Sequence, residues 1–152
     1  MPYLLDTNVI SELRKQKPHG GVVAWVKKIP EESLFVSAVT LGEIQAGIEI
    51  TRAQKPEKAE QIEKWLNDVA ETYNVLAVDA PIFRRWACLM HGRNDHHLED
   101  ALIAATALIR DLTVATRNTG DFKPFGVTLI NPFLTSKELE KDSEPESPSS
   151  DS

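Results

Sequence analysis

Cysteine is almost absent from this 152-residue chain, in which Cys88 is the only one. A lone thiol cannot form an internal disulfide bond or build a cysteine cage for zinc. Long apolar runs are also missing, since the longest candidate, Ala101 to Ile109, is far shorter than the roughly 20 residues of a membrane-spanning helix. The N-terminus has no basic region followed by a long apolar one, so no secretory signal is predicted. These absences predict a soluble, cytoplasmic protein that does not act at a membrane.

The chain also lacks an excess of positive charge. It carries 23 acidic and 17 basic side chains, for a net charge of -6. Residues 134–152 hold two lysines and six acids, or -4, which leaves -2 for residues 1–133. This acidic segment is rich in serine and proline and has few apolar residues, so we predict a folded domain over 1–133 and a disordered tail over 134–152. A near-neutral domain needs a local basic patch to bind nucleic acid.

Short apolar runs alternate with helical patterns along residues 1–133. The runs that predict strands are Tyr3–Leu5, Leu34–Val36, Val75–Val78, Leu112–Ala115 and Val127–Ile130. The segments that predict helices are 22–29, 38–51, a long one opening at Pro56, one capped by Asp79, and 98–110. This alternation predicts an α/β fold with a parallel five-stranded sheet covered by helices on both faces. Ligand sites in such sheets lie beyond the carboxyl ends of the strands.

Four acidic residues stand at strand ends or beside apolar positions: Asp6, Glu43, Asp100 and Asp121. Each alone has a structural explanation, as a helix cap, an edge-of-core residue, a partner of the helix dipole and a turn residue respectively. Together at one sheet edge they would repel, because two charges about 5 Å apart cost roughly 3 kcal/mol at an effective dielectric constant of about 20. A divalent cation would relieve that repulsion, and oxygen ligands favour Mg²⁺ or Mn²⁺ over zinc.

Four sequence segments then match a known family in order: LLDTNVISE, VSAVTLGEIQAGI, EDALIAATAL, and LTVATRNTGDF followed by LINPF. Together they frame residues 3–133. On these motifs the chain resembles PIN-domain ribonucleases, and within them the VapC/FitB-like toxins of type II toxin–antitoxin systems. The resemblance implies a PIN-like fold and a metal-dependent endoribonuclease that hydrolyses RNA phosphodiester bonds with Mg²⁺ or Mn²⁺.

The resemblance also assigns roles to individual residues. Asp6, Glu43 and Asp100 match the catalytic, metal-binding acids of the family, and Asp121 matches its more variable fourth acid. In some members an asparagine at the place of Asn118 substitutes for that fourth acid.

Three polar neighbours complete the predicted site. Asn8 and Thr116 match groups that orient a carboxylate or a water molecule, and Asn118 lies in the same loop. Arg117, inside that loop, is our best single candidate for a contact with a substrate phosphate.

Partners follow from the resemblance as well. They are an RNA substrate, a small cognate antitoxin whose segment blocks the site, and a second copy of the chain in a homodimer. The helix faces that carry Trp25 or Trp65 are candidate dimer surfaces.

Two other functions stay open at this point. An aspartyl-phosphate phosphatase also places an aspartate after its first strand, but the second aspartate expected two residues later is Asn8 here. A non-catalytic RNA- or protein-binding domain of the same fold is the other alternative. Metal-dependent RNA cleavage separates the three functions.

Overall fold

The computed structural model describes residues 2–134, apart from the side chain of Asp95. The predicted tail, except for Leu134, lies outside the described residues. The strands are Tyr3–Leu5 (β1), Leu34–Ser37 (β2), Asn74–Leu76 (β3), Thr113–Ala115 (β4) and Leu129–Ile130 (β5). The α-helices are Thr7–Arg14 (α1), Gly20–Lys28 (α2), Ala38–Gln54 (α3), Pro56–Thr72 (α4), Ala80–Met90 (α5), Leu98–Arg110 (α6) and Thr119–Phe122 (α7).

The five strands form one parallel sheet in the order β3-β2-β1-β4-β5. In its centre Leu4 of β1 pairs with Phe35 of β2 on one side and with Val114 of β4 on the other. The chain moves from β1 outward to β2 and β3, then returns to place β4 on the opposite side of β1. The gap between the carboxyl ends of β1 and β4 is therefore the switch point where α/β sheets bind ligands.

Helices cover both faces of the sheet, as the sequence predicts. Successive strand residues point to opposite faces, so Leu5 and Ala115 pack with the buried residues of α1, α2 and α4. Leu4 and Val114 instead pack with the buried alanines of α6 and with Phe122. The predicted α/β architecture is thus confirmed.

Some segments differ from the sequence-based expectation, among them the third strand, which spans Asn74–Leu76 where Val75–Val78 is predicted. Thr119–Phe122 is a short helix, where the polar sequence predicts a turn, because Phe122 is fully buried and anchors it beneath α6. The last strand begins at Leu129 rather than Val127, since only Leu129 and Ile130 have partners in β4.

The helix surfaces correct one prediction about partners. Trp25 is only 8% exposed and its ring lies 4.9 Å from that of Tyr3, so it is a core residue and not a dimer surface. Trp65, a residue of α4, is half-buried and packs against the cluster that contains Ile48 of α3. The large apolar side chains that the described residues expose are Ile50, Val75, Phe83 and Leu98. Within residues 2–134 no helix is long and apolar enough to cross a membrane.

Candidate active site

Asp6 lies at the switch point, at the carboxyl end of β1, and is 7% exposed. Its backbone N–H donates to the carbonyl of Ala115 at 2.9 Å, which joins the end of β1 to the end of β4. Its Oδ1 accepts a hydrogen bond from the backbone N–H of Thr7 at 2.9 Å and so caps α1. The structural explanation for Asp6, a helix cap, is therefore correct, and it coexists with the position expected of a site residue.

Asn8 and Thr116 hold the other oxygen of Asp6. Oδ2 accepts from the Thr116 hydroxyl at 2.9 Å and from the Asn8 side-chain amide at 3.2 Å. The Thr116 oxygen in turn lies within 3.3 Å of Asn8 Nδ2 and accepts from the backbone N–H of Asn118 at 3.0 Å. One short network therefore fixes the Asp6 carboxylate, and it contains each polar neighbour that the sequence picked for an orienting role.

Glu43 lies on α3 and is connected to the surroundings of Asp6 by a hydrogen bond with Thr7, the first residue of α1. Its Oε1 accepts from the Thr7 hydroxyl at 3.3 Å, and that hydroxyl is also 3.2 Å from the hydroxyl of buried Thr40. Thr7 therefore contacts both carboxylates: its backbone N–H donates to Asp6 and its hydroxyl donates to Glu43. Burial, together with the charges of Glu99 and Asp6, raises the pKa of Glu43 to about 7.

Asp100 is half-buried in the first turn of α6, with Ile103, Ala104 and Ala107 of the same helix buried in the core. Burial is the main cause that raises its pKa to about 6, and the negative charges of Asp6 and Asp121 contribute to the same increase. The positive potential of His97 acts in the opposite direction.

Asp121 is exposed on α7, and its charge also contributes to raising the pKa of buried Asp6, for which burial is the main cause. The structure thus brings Asp6, Glu43 and Asp100 within electrostatic range of one another, and Asp121 within range of Asp6 and Asp100. It adds an acid that the sequence did not single out: Glu99 has the largest effect of any charged group on Glu43. The sequence does not reveal the effect of Glu99 on Glu43, because that effect depends on the packing of α6 against α3, which is a long-range contact.

The four carboxylates have no basic partner. In the described part of the chain, none of them forms an ion pair with a lysine or an arginine. Among residues 2–134 no three histidine, cysteine or acidic side chains lie close enough to hold one metal ion together. The site is therefore an open cluster of carboxylates, in which the pKa values of Asp6, Glu43 and Asp100 are raised.

Arg117 borders this cluster through its backbone. Its N–H donates to Asn8 Oδ1 at 3.1 Å, and its carbonyl accepts from the side-chain amide of Asn131 at 3.3 Å. Its guanidinium carbon lies 4.7 Å from the centre of the Phe133 ring, a cation–π contact. The side chain is exposed, and its predicted contact with a phosphate stays a prediction.

This fold, with a buried aspartate and three further acids at the β1–β4 switch point, defines a class of proteins. The sequence profile of the PIN domain matches residues 3–125, and the chain belongs to the PIN domain family.

Individual relatives agree with that assignment. The chain is 35% identical to Toxin FitB of Neisseria gonorrhoeae over 86% of this chain and 97% of the relative. It is 36% identical to VapC ribonuclease Y4jK of Sinorhizobium fredii, over 86% and 96% of the two chains. The crystal structure of FitAcB from Neisseria gonorrhoeae superposes with a TM-score of 0.77 at 33% identity, covering 88% of this chain and 99% of the other.

Proposed function

We propose that this protein is a metal-dependent endoribonuclease and the toxin of a type II toxin–antitoxin pair. The observation that carries the proposal is the convergence of Asp6, Glu43, Asp100 and Asp121 at the switch point without a basic partner among the described residues. Membership of the PIN family and a relative named a VapC ribonuclease support the same activity.

The donor set fits Mg²⁺ or Mn²⁺. Carboxylate oxygens are the ligands that these hard ions prefer, and half-buried carboxylates with raised pKa values gain most from a nearby positive charge. Asp6 accepts three hydrogen bonds of about four that a carboxylate can accept, which leaves acceptor capacity on Oδ1. Asp6, Glu43 and Asp100 would hold the ion after drawing closer together than they stand without it, with water completing the shell.

A divalent ion bound there would neutralise charge on the scissile phosphate and make a nearby water molecule more acidic. The residues of the chain would do the remaining work. Thr116 and Asn8 keep the Asp6 carboxylate in one orientation, and Thr7 holds Glu43 toward it. Asp121 is exposed, and its negative charge would add to the negative potential that acts on Asp6.

The geometry disfavours an aspartyl-phosphate phosphatase. An enzyme of that type needs a second aspartate two residues after the nucleophile as acid and base, whereas Asn8 stands there and its side-chain amide donates to Asp6 Oδ2. Glu43 and Asp100 would also have no part in such a mechanism. A non-catalytic binding domain of the same fold gives no reason for the acids to stay together unpaired.

Cleavage of RNA by chelator-treated protein, with Mg²⁺ or Mn²⁺ added back, tests the proposal. Wild type should cleave only with metal, and Asp6→Asn and Asp100→Asn should lose more than about 100-fold, because 10- to 100-fold is the usual loss for groups that merely orient a metal ligand. Asp68→Asn, on the exposed side of α4, is the matched control and should cleave normally. Metal-independent cleavage, or full activity in both site variants, would contradict the proposal.

We also propose a cognate antitoxin and a second copy of the chain as protein partners. The relative named Toxin FitB supports this assignment. Sedimentation of the purified chain, alone and with the product of a neighbouring reading frame, tests both partners.

A further inference from the structure

Asn131 is a buried polar residue that the proposed chemistry does not use. It directly follows β5 and is 7% exposed. Its Nδ2 donates to the carbonyl of Arg117 at 3.3 Å, and its Oδ1 accepts from the backbone N–H of Phe133 at 3.0 Å. A buried side chain with both ends of its amide bonded to backbone groups holds two chain segments in a fixed relation.

Both segments that Asn131 holds determine the position of Arg117. One is the backbone of Arg117 itself, and the other carries Phe133, whose ring lies beneath the Arg117 guanidinium. Phe133 is in turn fixed in the core, where it is 9% exposed and its ring is 5.3 Å from that of His19. The amide of Asn131 therefore determines where the Arg117 side chain begins and also places the surface on which it rests.

The same contacts continue into the acidic cluster. The Arg117 N–H donates to Asn8 Oδ1, which leaves the Asn8 amide nitrogen facing Asp6 Oδ2 and the Thr116 hydroxyl. Arg117 is thus held between Asn131 on one side and the network around Asp6 on the other. An arginine whose backbone is anchored on both sides loses less conformational freedom when it binds a phosphate, so its contribution to affinity is larger.

We propose that Asn131 is a positioning residue for RNA binding by Arg117. Its side-chain amide fixes the Arg117 backbone and the Phe133 ring, so that the guanidinium is presented beside the acidic cluster. This role rests on the proposed function, because it supposes an RNA substrate at that site. Asn131 does not touch the reacting groups, and it acts only through Arg117.

Asn131→Ser is the variant that isolates the contact. A serine hydroxyl can still accept from the N–H two residues later but is too short to reach the Arg117 carbonyl. The KM for RNA should rise about tenfold, the cost of one buried hydrogen bond, while kcat changes little. Should Asn131→Ser not fold, Asn131→Thr keeps a hydroxyl acceptor and more of the side-chain volume, and it also lacks the amide donor. Asn74→Ser, which removes an amide bonded to the carbonyls of Glu31 and Leu34 at the far edge of the sheet, is the matched control.

A double-mutant cycle and hydrogen exchange separate positioning from general destabilisation. In an Arg117→Ala background, Asn131→Ser should not raise the KM further, because Asn131 acts on RNA only through the guanidinium that Arg117→Ala has already removed. Exchange of the Arg117 amide should accelerate about tenfold, while that of Val114, which donates to the Thr128 carbonyl in the sheet, should not. An equal rise in KM in both backgrounds, or unchanged exchange at Arg117, would overturn the positioning role. Absence of RNA cleavage by wild type would instead overturn the proposed function, and the exchange measurement does not depend on RNA.

Discussion

At the scale of one residue, the raised pKa of Glu43 shows how the site disfavours negative charge. This pKa is about 7, against an ordinary value of 4.5, because burial and the charges of Glu99 and Asp6 disfavour ionisation. The folded protein therefore holds this proton more tightly than the unfolded chain does. Ionisation of Glu43 begins to destabilise the fold above pH 4.5, and the penalty is complete above pH 7.

In chelator, Glu43→Gln should therefore be more stable than wild type at pH 8, by about 1 kcal/mol once screening by solvent is allowed for. The difference should shrink toward pH 4.5, where the wild-type carboxyl is protonated in both states. Urea unfolding at the two pH values measures it. Glu49→Gln on the same helix is the control with the opposite sign, because its bond to Arg52 lowers the pKa of Glu49. Equal stability of wild type and Glu43→Gln at pH 8 would refute the repulsion.

The sequence segments that match the family contain all of these site residues, but the resemblance gives a role to only some of them. Asp6, Glu43 and Asp100 were found because each lies in a recognisable segment, and the structure puts them within electrostatic range of one another. Glu99 lies beside Asp100 in EDALIAATAL but has no role in the resemblance, and the packing of α6 on α3 brings its charge near Glu43. Asn131 lies in LINPF but receives no role from it, because the hydrogen bond from its amide to the Arg117 carbonyl spans 14 residues of sequence.

At the scale of one element, the end of α6 contains local strain. Asp111 follows the helix with φ of 57° and ψ of 55°, the left-handed conformation that side chains other than glycine rarely adopt. Its negative charge also lies at the negative end of the helix dipole. Asp111→Gly should therefore raise the free energy of unfolding by about 0.5–1 kcal/mol. Thermal melts measure the gain, and Asp111→Ala, which keeps a Cβ at the same φ, should not give it.

Elements were predicted well where the sequence carries an explicit start or stop signal. Pro56 opens α4 at its first residue, and Asp79 caps α5 by accepting from the N–H of Ile82. The helix over 98–110 matches its predicted bounds because its buried alanines and Ile103 follow helical spacing. In contrast, α7 is only four residues long, and it exists because burial of Phe122 outweighs the turn preference of its polar neighbours.

At the scale of the whole molecule, net charge opposes RNA binding. Residues 135–152 carry two lysines and six acids, so deleting them changes the net charge from -6 to -2. Since long-range repulsion from RNA falls with the negative charge of the protein, deletion should tighten RNA binding severalfold at about 0.01 M salt. The gain should vanish near 1 M salt, where screening extends over only about 3 Å.

Fluorescence anisotropy with a cleavage-deficient Asp100→Asn protein measures that affinity without turnover. A variant that keeps residues 135–152 but carries Gln or Asn at four of their six acidic positions has the same net charge of -2 as the deletion and is the control for length. It should bind as the deletion does. Unchanged affinity in both proteins at low salt would contradict a long-range electrostatic effect of this segment.

Metal binding should stabilise the whole fold, because the ion binds the native site and not the unfolded chain. At a free Mg²⁺ or Mn²⁺ concentration of about 100 times Kd, linkage predicts a gain of about 2.7 kcal/mol. The gain should be larger at pH 8 than at pH 5, since Glu43 and Asp100, with pKa values of about 7 and 6, must lose their protons to bind the ion. Asp100→Asn should lose most of it, whereas the control Asp68→Asn should keep it. Unfolding measured by fluorescence during metal titration tests this without any RNA, and an equal gain in wild type and Asp100→Asn would place the ion away from the acidic cluster.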